Sequence, residues 1–402
     1  MFNQRARTNH RQRLLRASVA GAALLVLAEP ALGHAESQSW QPALAQHAKA
    51  AILIDAGTGM VFFEKNEHAR LPIASVTKAM TMLLVFDAIA KGQVRLQDVV
   101  RVSDHAASMG GSQIFLKPGE TMTLSELMKG IAMASANDAA VAAAEYVSGS
   151  EANFVRQMNE RVQKLGLRDS HFVNTNGLPA PNHYSSAYDV AMISRELLQH
   201  DGVTSFTGAY SDHLRKQTER PFWLVNTNKL VRYYQGMDGV KTGYTSDSLF
   251  CLSASAKRGS LRLIAVVLGE PSASVRNAEV VEMMNYAFSQ YTAKTLYKKG
   301  QVVALAPVEK GQSEAVAAIA SRDVAQLIKK DGLRPLGHVT TELDLLKAPV
   351  KKGQVVGRVV IVNGGSAAVR VPLYAAADVA PVSWTEMLGR SLRKMFLFGV
   401  KE

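Results

Sequence analysis

The sequence has almost no cysteine, no long apolar run and no concentrated basic patch. Cys251 is the only cysteine in 402 residues, which excludes an intramolecular disulfide and a cysteine-based zinc cluster. No stretch offers about 18 uninterrupted apolar residues, so a polytopic membrane protein is excluded. The ten histidines show no metal-ligand spacing, and no run of lysine and arginine marks a nucleic-acid-binding patch. We therefore predict no metal, no cofactor and no nucleic-acid partner.

The bulk composition is that of a globular protein. Hydrophobic residues make up 47% of the chain and charged residues 20%, which excludes a mainly disordered chain, a collagen and a coiled coil. At roughly 150 residues per domain, the length predicts two to three domains and is sufficient for a sizeable core.

The N-terminal region has the basic, apolar, small-residue order of a secretory signal peptide. Residues 1–16 carry five arginines and no acidic residue, and a 12-residue run of small and apolar residues follows from Ala17 to Ala28. That run is too short to span a bilayer, which takes about 20 residues. We predict that 1–35 is cleaved after Ala35, or after Gly33, and that the protein is exported to the periplasm; a buried helix or an uncleaved anchor is the alternative. Cleavage removes five arginines and one glutamate, so the net charge falls from +12 to +8.

The C-terminal segment 383–402 predicts an amphipathic helix. Ser383 and Glu386 have the spacing of a capping box, which indicates a helix start. One face would carry the apolar residues Trp384, Met387, Leu388, Leu392, Met395 and Phe396, and the other the basic residues Arg390, Arg393 and Lys394. We expect this helix to attach the protein peripherally to the outer face of the cytoplasmic membrane. The alternative is a helix that packs on its own domain.

The middle of the chain predicts strands, then many helices, then strands and a helix. The predicted strands are 51–55 and 60–64, joined around Gly57-Thr58-Gly59, and 250–257 and 260–268. The predicted helices are 75–91, 123–133, 138–146, 151–165, 187–198 and 277–291. A capping box of Thr123 and Glu126 opens the second of these helices. This order indicates an α+β domain over 36–293, an antiparallel sheet with an inserted helical subdomain.

Residues 294–382 have a different pattern, in which Val/Ala-rich runs alternate with turn residues. We predict a small β-rich domain there. The segment Lys298 to Val303 has the same sequence as Lys351 to Val356. A common turn-into-strand signal explains this repeat better than a duplicated module.

The first motif with chemical meaning is Ser75-Val76-Thr77-Lys78 at the start of a predicted helix. The i, i+3 spacing puts Ser75 and Lys78 on one face. A serine hydroxyl needs a neighbouring base to become a good nucleophile, and a lysine can be that base when burial and a nearby cation favour its neutral form. By itself the motif is weak, because chance supplies a similar match in a chain of this length.

Two further motifs contain polar groups suited to binding a peptide. Ser135-Ala136-Asn137 lies between two predicted helices, where its hydroxyl could relay a proton and its carboxamide could hold an amide. Helix capping is the alternative explanation. Lys241-Thr242-Gly243 is expected to begin or edge a strand, where Lys241 and Thr242 could bind a carboxylate and Gly243 would leave space for a substrate backbone.

The three motifs together stand in the order described for penicillin-binding proteins and serine β-lactamases, with intervals of about 60 and about 105 residues. The neighbouring residues resemble those of the D-alanyl-D-alanine carboxypeptidases over roughly 40–290. The matching segments are Leu71 to Thr81, Gly110 to Ser112 with Phe115-Leu116, Ser135 to Ala139, Asn176 to Leu178 with His183, Ser185 and Asp189, and Asp238 to Thr245. The β-rich segment and the tail also resemble those of this family's low-molecular-mass penicillin-binding proteins.

The resemblance implies a β-lactamase/transpeptidase-like catalytic domain that removes the terminal D-alanine from peptidoglycan stem pentapeptides. In the family's arrangement, Ser75 attacks the carbonyl between the two D-alanines and Lys78 accepts its proton. The backbone N–H groups of Ser75 and Tyr244 form the oxyanion hole. β-Lactam antibiotics are implied as inhibitors that stop at the acyl-enzyme.

The remaining site residues are implied in the same way. Ser135 would pass a proton to the departing D-alanine, and Asn137 would hold the acylated stem. Lys241 and Thr242 would receive the terminal carboxylate, beside Gly243. Some members have histidine at the position of Tyr244, which would affect deacylation, and glycine is frequent at the position of Ala136.

Two other enzyme activities and one non-enzymatic function compete with this hypothesis. A class A β-lactamase needs a glutamate after the second motif, and Leu165 to Ala180 contain none. A DD-endopeptidase acting on cross-links and an inactive cell-wall-binding protein stay open as alternatives.

Arg276 is a further candidate for the substrate carboxylate, with an exposed structural arginine as the competing interpretation. We expect Cys251 to be a buried core residue and Trp223 to be a packing residue.

Overall fold

The computed structural model describes residues 43–216, 218–219, 221–362 and 368–389. The predicted signal peptide and residues 390–402 of the predicted C-terminal helix lie outside the described residues.

The first part of the chain, up to residue 290, contains nine strands and nine helices among the described residues. The strands are β1 (Ala50–Asp55), β2 (Val61–Lys65), β3 (Val99–Arg101), β4 (Thr121–Thr123), β5 (Ser211–Leu214), β6 (Phe222–Val225), β7 (Met237–Thr245), β8 (Leu249–Arg258) and β9 (Leu261–Glu270). The helices are α1 (Lys78–Ala90), α2 (Asp104–Ala107), α3 (Leu124–Lys129), α4 (Asn137–Ser148), α5 (Glu151–Lys164), α6 (Ala187–Leu197), α7 (Val203–Thr207), α8 (Leu230–Tyr233) and α9 (Ala273–Gln290).

An antiparallel sheet of five strands, in the order β2-β1-β9-β8-β7, forms the centre of this part. Successive side chains of β1 point to opposite faces, as strand geometry requires. Ile52 and Ile54 pack in a core with α1, α4 and α6, whereas Ala51 and Leu53 pack in a second core with α9. Both faces are therefore covered by helices, and β7 is left as the sheet edge that faces the motif residues.

The helical subdomain follows the predicted pattern closely. Helix α1 is apolar on nearly all sides and is almost entirely buried, as expected of a central helix. Helix α3 begins with the predicted capping box, in which Thr123 Oγ1 accepts from the Glu126 N–H at 3.2 Å and Glu126 Oε2 accepts from the Thr123 N–H at 3.0 Å. Helix α9 begins at Ala273, earlier than predicted, because Ser272 caps it.

The second part of the chain, residues 291–382, is called the β domain below. Its strands are β10 (Tyr291–Tyr297), β11 (Val302–Glu309), β12 (Ala315–Ala320), β13 (Val324–Lys329), β14 (Arg334–Pro335), β15 (His338–Leu343), β16 (Leu346–Lys347), β17 (Val355–Val362) and β18 (Val369–Ala375). They form sheets in the orders β10-β13-β14 and β15-β17-β18-β12-β11-β16. The larger sheet buries its own core, which includes Val316, Val359 and Leu373.

The repeated six-residue segment forms the same turn twice. The Lys298 N–H donates to Oε1 of Gln301 at 3.0 Å, and the Lys351 N–H donates to Oε1 of Gln354 at 3.2 Å. The glycine before each glutamine has a positive φ, 78° in the first turn and 83° in the second. The repeat therefore marks a turn that leads into a strand, as predicted.

A short helix follows the β domain at residues 384–389. The predicted capping box precedes it, since the Glu386 N–H donates to Ser383 Oγ and the Ser383 N–H donates to Glu386 Oε2, both at 3.3 Å. Trp384 is 75% exposed on this helix. Within the part of the chain that the structure describes, no helix combines the length and hydrophobicity needed to cross a bilayer.

Candidate active site

Ser75 lies in a single 3-10 turn, Ala74–Thr77, that leads directly into α1. The turn is strained, because Ala74 has a φ of 45°, in the left-handed region. The backbone of Gly177 packs so tightly against this turn that a Cβ at 177 would overlap the Ala74 carbonyl. The local backbone thus holds Ser75 at the junction between the sheet and the helical subdomain.

The ammonium group of Lys78 has three close oxygen neighbours. Its Nζ lies 2.6 Å from Asn137 Oδ1, 2.6 Å from the Asn176 carbonyl oxygen and 2.9 Å from Ser75 Oγ. The two carbonyl oxygens can only accept, so each fixes one N–H of the lysine. In the neutral amine the third position is a lone pair, and it faces the Ser75 hydroxyl.

Burial and a second lysine favour the neutral form of Lys78. Lys78 is fully buried, and desolvation holds its pKa well below the usual value, with the positive charge of Lys241 as a further cause. Burial also lowers the pKa of Lys241 to about 7, with help from the charge of Arg276. The site therefore contains two buried amines that depart from ordinary lysine behaviour, in the way that acid–base catalysis requires.

The second motif lies where a π-helical turn, Gly130–Ala134, meets α4. Ser135 has a φ of 62° and is 5% exposed, and its Oγ has no hydrogen-bond partner among the described residues. Asn137 donates from Nδ2 to the Gly110 carbonyl at 2.7 Å, and its N–H donates to the Ser112 carbonyl at 2.7 Å. The carboxamide of Asn137 thus joins Lys78 to the 110–112 segment.

The third motif lies in the middle of β7, the edge strand of the sheet, rather than at the beginning or edge of a strand as predicted. Lys241 donates to the Thr242 carbonyl at 2.9 Å, and Thr242 Oγ1 donates to Thr227 Oγ1 at 2.7 Å. At Gly243, a Cβ would lie 2.6 Å from the Ile73 carbonyl oxygen and 3.1 Å from the Val76 amide nitrogen. Gly243 therefore allows the edge strand to approach the turn that carries Ser75.

Two flanking residues differ in exposure. Tyr244 is 58% exposed and its ring stacks at 4.4 Å from that of Phe250. Arg276 is only 6% exposed, so the interpretation as an exposed arginine is wrong. Its side chain donates to Asn277 Oδ1, and its charge acts on Lys241. Arg276 thus belongs to the electrostatic environment of the third motif.

The hydrogen bonds that the Asn176 carbonyl and His183 form at the site were not predicted from the sequence. The Asn176 carbonyl accepts from Lys78 and, at 3.4 Å, from Ser75 Oγ. Next to Ser75, Thr77 Oγ1 lies 2.8 Å from His183 Nε2, and the Val173 N–H donates to His183 Nδ1 at 3.1 Å. The Asn-Gly pair at 176–177 is a turn signal that could have drawn attention to this segment.

Cys251 is fully buried, as predicted, and burial raises the pKa of its thiol to about 11. Trp223 is 63% exposed, so its prediction as a packing residue is wrong. The Cys251 thiol donates to the Ser248 carbonyl at 3.5 Å, and Cys251 is the cross-strand neighbour of Gly243 in the β7–β8 ladder.

The geometry brings together a serine hydroxyl, a buried lysine amine and the backbone of an edge strand. Two models of known protein families match this chain. Residues 35–272 match the family model described as D-alanyl-D-alanine carboxypeptidase, and residues 291–381 match the one described as penicillin-binding protein 5, C-terminal domain.

Individual relatives agree with these matches. The chain is 45% identical to D-alanyl-D-alanine carboxypeptidase DacF of Bacillus subtilis, over 95% of this chain and 98% of that protein. It is 34% identical to D-alanyl-D-alanine carboxypeptidase DacC of Escherichia coli, over 91% and 92%. Its structure is similar to penicillin-binding protein 5 from Haemophilus influenzae, with a TM-score of 0.64, 30% identity and coverage of 85% of this chain and 99% of the other.

The fold and the family matches define a serine-type hydrolase. The α+β fold with a β-rich C-terminal domain is confirmed by the similar structures and the second family model. The chain belongs to the D-alanyl-D-alanine carboxypeptidase family, so the family predicted from the three motifs is confirmed.

Proposed function

We propose that the protein removes the terminal D-alanine from peptidoglycan stem pentapeptides through an acyl-enzyme on Ser75. The observation that carries this proposal is the geometry of Lys78. Two carbonyl oxygens at 2.6 Å orient its amine, and the third position of that amine faces Ser75 Oγ at 2.9 Å. A neutral Lys78 is thus oriented to take the serine proton.

Acylation begins when Ser75 Oγ attacks the carbonyl carbon between the two D-alanines and its proton moves to Lys78 Nζ. The carbonyl oxygen becomes an oxyanion between the N–H groups of Ser75 and Tyr244. Each such preorganised donor contributes roughly 3–4 kcal/mol to acyl transfer. The close approach of β7 at Gly243 supports this arrangement, because it brings the strand beside the Ser75 turn.

Collapse of the tetrahedral intermediate breaks the amide bond and releases D-alanine. Ser135 relays a proton to the departing amine, for which its unpartnered hydroxyl is suited. Asn137 holds the acylated stem. Lys241, in its protonated form, and Thr242 receive the terminal carboxylate of the substrate, beside Gly243.

Water then attacks the Ser75 ester and releases the shortened stem. A β-lactam would follow the same acylation path and stop at the acyl-enzyme. A structural relative supports this, since penicillin-binding protein D2 from Listeria monocytogenes, 27% identical with a TM-score of 0.55, is known in an ampicillin-bound form. The exposed ring of Tyr244 lies beside the site, where it would affect how water approaches the Ser75 ester.

Two assays test the proposal. Intact-mass measurement should detect one penicillin adduct on the wild-type protein and none on Ser75→Ala; equal labelling of both, or of neither, would contradict the mechanism. Release of D-alanine from a pentapeptide substrate should exceed cleavage of a cross-linked dimer. The opposite ratio would identify the endopeptidase alternative, and activity on neither would support the inactive binding protein.

We also propose that the protein is exported, with 1–35 as its signal peptide, and that 383–402 attaches it to the outer face of the cytoplasmic membrane. The exposed Trp384 and Leu388 on the short helix support this attachment. Deletion of 383–402 should release the mature protein from membranes and leave penicillin labelling intact. A truncated protein that stays membrane-bound would contradict the anchor.

The domain division into 36–293 and 294–382 is likewise a proposal. The end of α9 at Gln290 and the pairing of β10 (Tyr291–Tyr297) with β13 support a division into two parts, with the boundary between 290 and 291 rather than between 293 and 294.

A further inference from the structure

A cleft of about 810 Å³ lies between the first part of the chain and the β domain. One wall is formed by the β1–β2 turn and helix α6, and the other by β18 and the turn after β12. None of the residues of the three motifs lines it. The cleft is therefore separate from the active site described above.

Two arginines that line this cleft from opposite walls donate to one carbonyl oxygen at its border with a neighbouring cavity. Arg195 of α6 donates from Nε to the Ala56 carbonyl at 2.7 Å and from Nη2 to the Gly57 carbonyl at 3.1 Å. Arg322 of the β domain donates from Nη1 to the same Gly57 oxygen at 3.4 Å. The two guanidinium groups therefore lie side by side.

This pair of like charges has no directly ion-paired carboxylate among the described residues. Neither Arg195 nor Arg322 forms a salt bridge within 4.0 Å in that part of the chain. The nearby carboxylate of Asp55 is buried and is already engaged by Thr58, whose N–H and hydroxyl both donate to Asp55 Oδ2 at 2.6 Å. Burial, and after it the charge of Arg195, lower the pKa of Arg322, and the more distant carboxylates of Glu196 and Asp55 oppose this shift without forming an ion pair with Arg322.

Arg322 also has unused donors. A guanidinium has five N–H donors, and the described residues supply Arg322 with one long hydrogen bond. Its remaining nitrogens are not among the sealed, unpartnered atoms of the described residues, and Arg322 lines both this cleft and the neighbouring cavity. The planar fork of a guanidinium matches a carboxylate in a bidentate arrangement.

We propose that this cleft is a second binding site, which takes a carboxylate-bearing peptide, namely a stem peptide of peptidoglycan that is not being cleaved. The choice of ligand rests on the proposed function, which supplies such stems as substrate and product. The carboxylate would bridge Arg195 and Arg322 and would thereby fasten the β domain to the catalytic part. The shortened stem left by the reaction carries the required carboxylate.

The rest of the lining favours a peptide over a simple anion or a phosphate polymer. Met60, Met192 and Tyr188 offer apolar surface for aliphatic side chains. Glu64 and Glu196 line the same cleft, where they would accept from an amine and repel a chain of phosphates. The volume greatly exceeds that of one ion, since a water molecule occupies about 30 Å³ in the liquid.

Calorimetric titration of the penicillin-acylated enzyme tests this site, because the acyl group blocks the active site. The probe is a soluble muropeptide with a tetrapeptide stem, and intact mass before and after titration verifies the acylation. We expect binding by the wild-type protein, weakened at least tenfold in Arg322→Gln and in Arg195→Gln. Arg322→Lys keeps the positive charge and loses the planar guanidinium, so its affinity for the muropeptide should be intermediate. This variant replaces the glutamine variants in the test if they do not fold. Arg334→Gln, at an exposed position of the β domain, is the matched control and should bind normally.

The proposal is overturned if the acylated wild type does not bind the muropeptide, or if both arginine variants bind as well as the control. It is also overturned if inorganic phosphate, titrated separately, shows the arginine-dependent binding and the muropeptide does not. D-Alanine release by the unacylated proteins, measured in parallel, separates this outcome from failure of the proposed function. We expect the Arg322 variants to release D-alanine from a small pentapeptide at the wild-type rate.

Discussion

Lys78 and Asn137 are 59 positions apart in the sequence, yet Nζ of the lysine donates to Oδ1 of the asparagine at 2.6 Å. This bond joins the first motif to the second. It fixes one N–H of the amine, and the Asn176 carbonyl fixes another, so the direction of the lone pair towards Ser75 is set by residues of the helical subdomain. Asn137 therefore orients the base as well as facing the proposed binding site of the stem.

Asn137→Asp should slow acylation through the pKa of Lys78. A carboxylate at this distance stabilises the ammonium form and raises the pKa of the lysine by about 1–3 units. Acylation requires the neutral amine, so the ascending limb of the pH profile should move to higher pH by that amount, and on the acidic side of the limb the rate should fall by roughly tenfold to a thousandfold. The measurement is the rate of penicillin acylation against pH. Asn159→Asp, away from the site, should keep the wild-type profile; an unshifted limb in Asn137→Asp would argue against Lys78 as the base.

Lys241→Arg should extend activity to higher pH. The pKa of Lys241 is lowered to about 7 by burial, so its charge is present below that pH and is lost as the pH rises through it. If the charged form receives the substrate carboxylate, kcat/KM should fall above about pH 7 in the wild type. An arginine stays protonated, so the fall should move to higher pH in the variant.

The measurement is kcat/KM for D-alanine release against pH, because this ratio reports the free enzyme. Lys347→Arg, an exposed change in the β domain, should keep the wild-type alkaline limb. An identical limb in wild type and Lys241→Arg would show that another group is responsible.

Local sequence patterns predict most of the helices and strands of this fold, because the signals that begin and end these elements involve residues only a few positions apart. The Thr123–Glu126 capping box marks a helix start that depends only on residues three positions apart. The motif order predicted the family, which the comparisons confirm, and the structure brings Ser75 and the strand that carries Lys241 close together. The burial of Arg276 and the exposure of Trp223 could not be predicted in this way, because both depend on which surfaces the tertiary structure brings together. The Asn-Gly turn signal marks the segment at 176–177, but the role of the Asn176 carbonyl as an acceptor could not be predicted, since any residue supplies a backbone oxygen.

Gly243→Ala should damage both activity and stability. A Cβ at this position would lie 2.6 Å from the Ile73 carbonyl oxygen, so the edge strand must move away from the Ser75 turn. Overpacking of this kind costs roughly 1–3 kcal/mol. We expect a lower melting temperature and a loss of penicillin acylation of about a hundredfold or more, since small misplacements of catalytic groups have effects of that size. Gly389→Ala, where a Cβ meets no atom within 4 Å, is the control and should change neither. A fully active Gly243→Ala protein would show that the close approach is unnecessary.

His183 should make the folded protein sensitive to mild acid. Its Nδ1 accepts from the Val173 N–H, which requires the neutral ring, and burial lowers its pKa to about 4 from an ordinary value of 6.5. The unfolded chain binds this proton at a higher pH than the folded chain does. The stability that the neutral ring contributes is therefore complete above about pH 6.5 and is lost as the pH falls towards 4, by on the order of 3 kcal/mol.

Thermal unfolding followed between pH 7.5 and pH 4 checks this effect. His183→Asn should melt at a lower temperature at pH 7.5, because the contact with Thr77 is weakened, and should lose less stability than the wild type on acidification. His338→Asn removes an exposed histidine of the β domain and should leave the acid dependence unchanged. Equal acid sensitivity of the wild type and His183→Asn would mean that other groups, such as the ion-paired carboxylates, control the response. The slope against pH is the decisive quantity, since any destabilising substitution lowers the melting temperature, whereas only removal of a proton-binding group changes the slope.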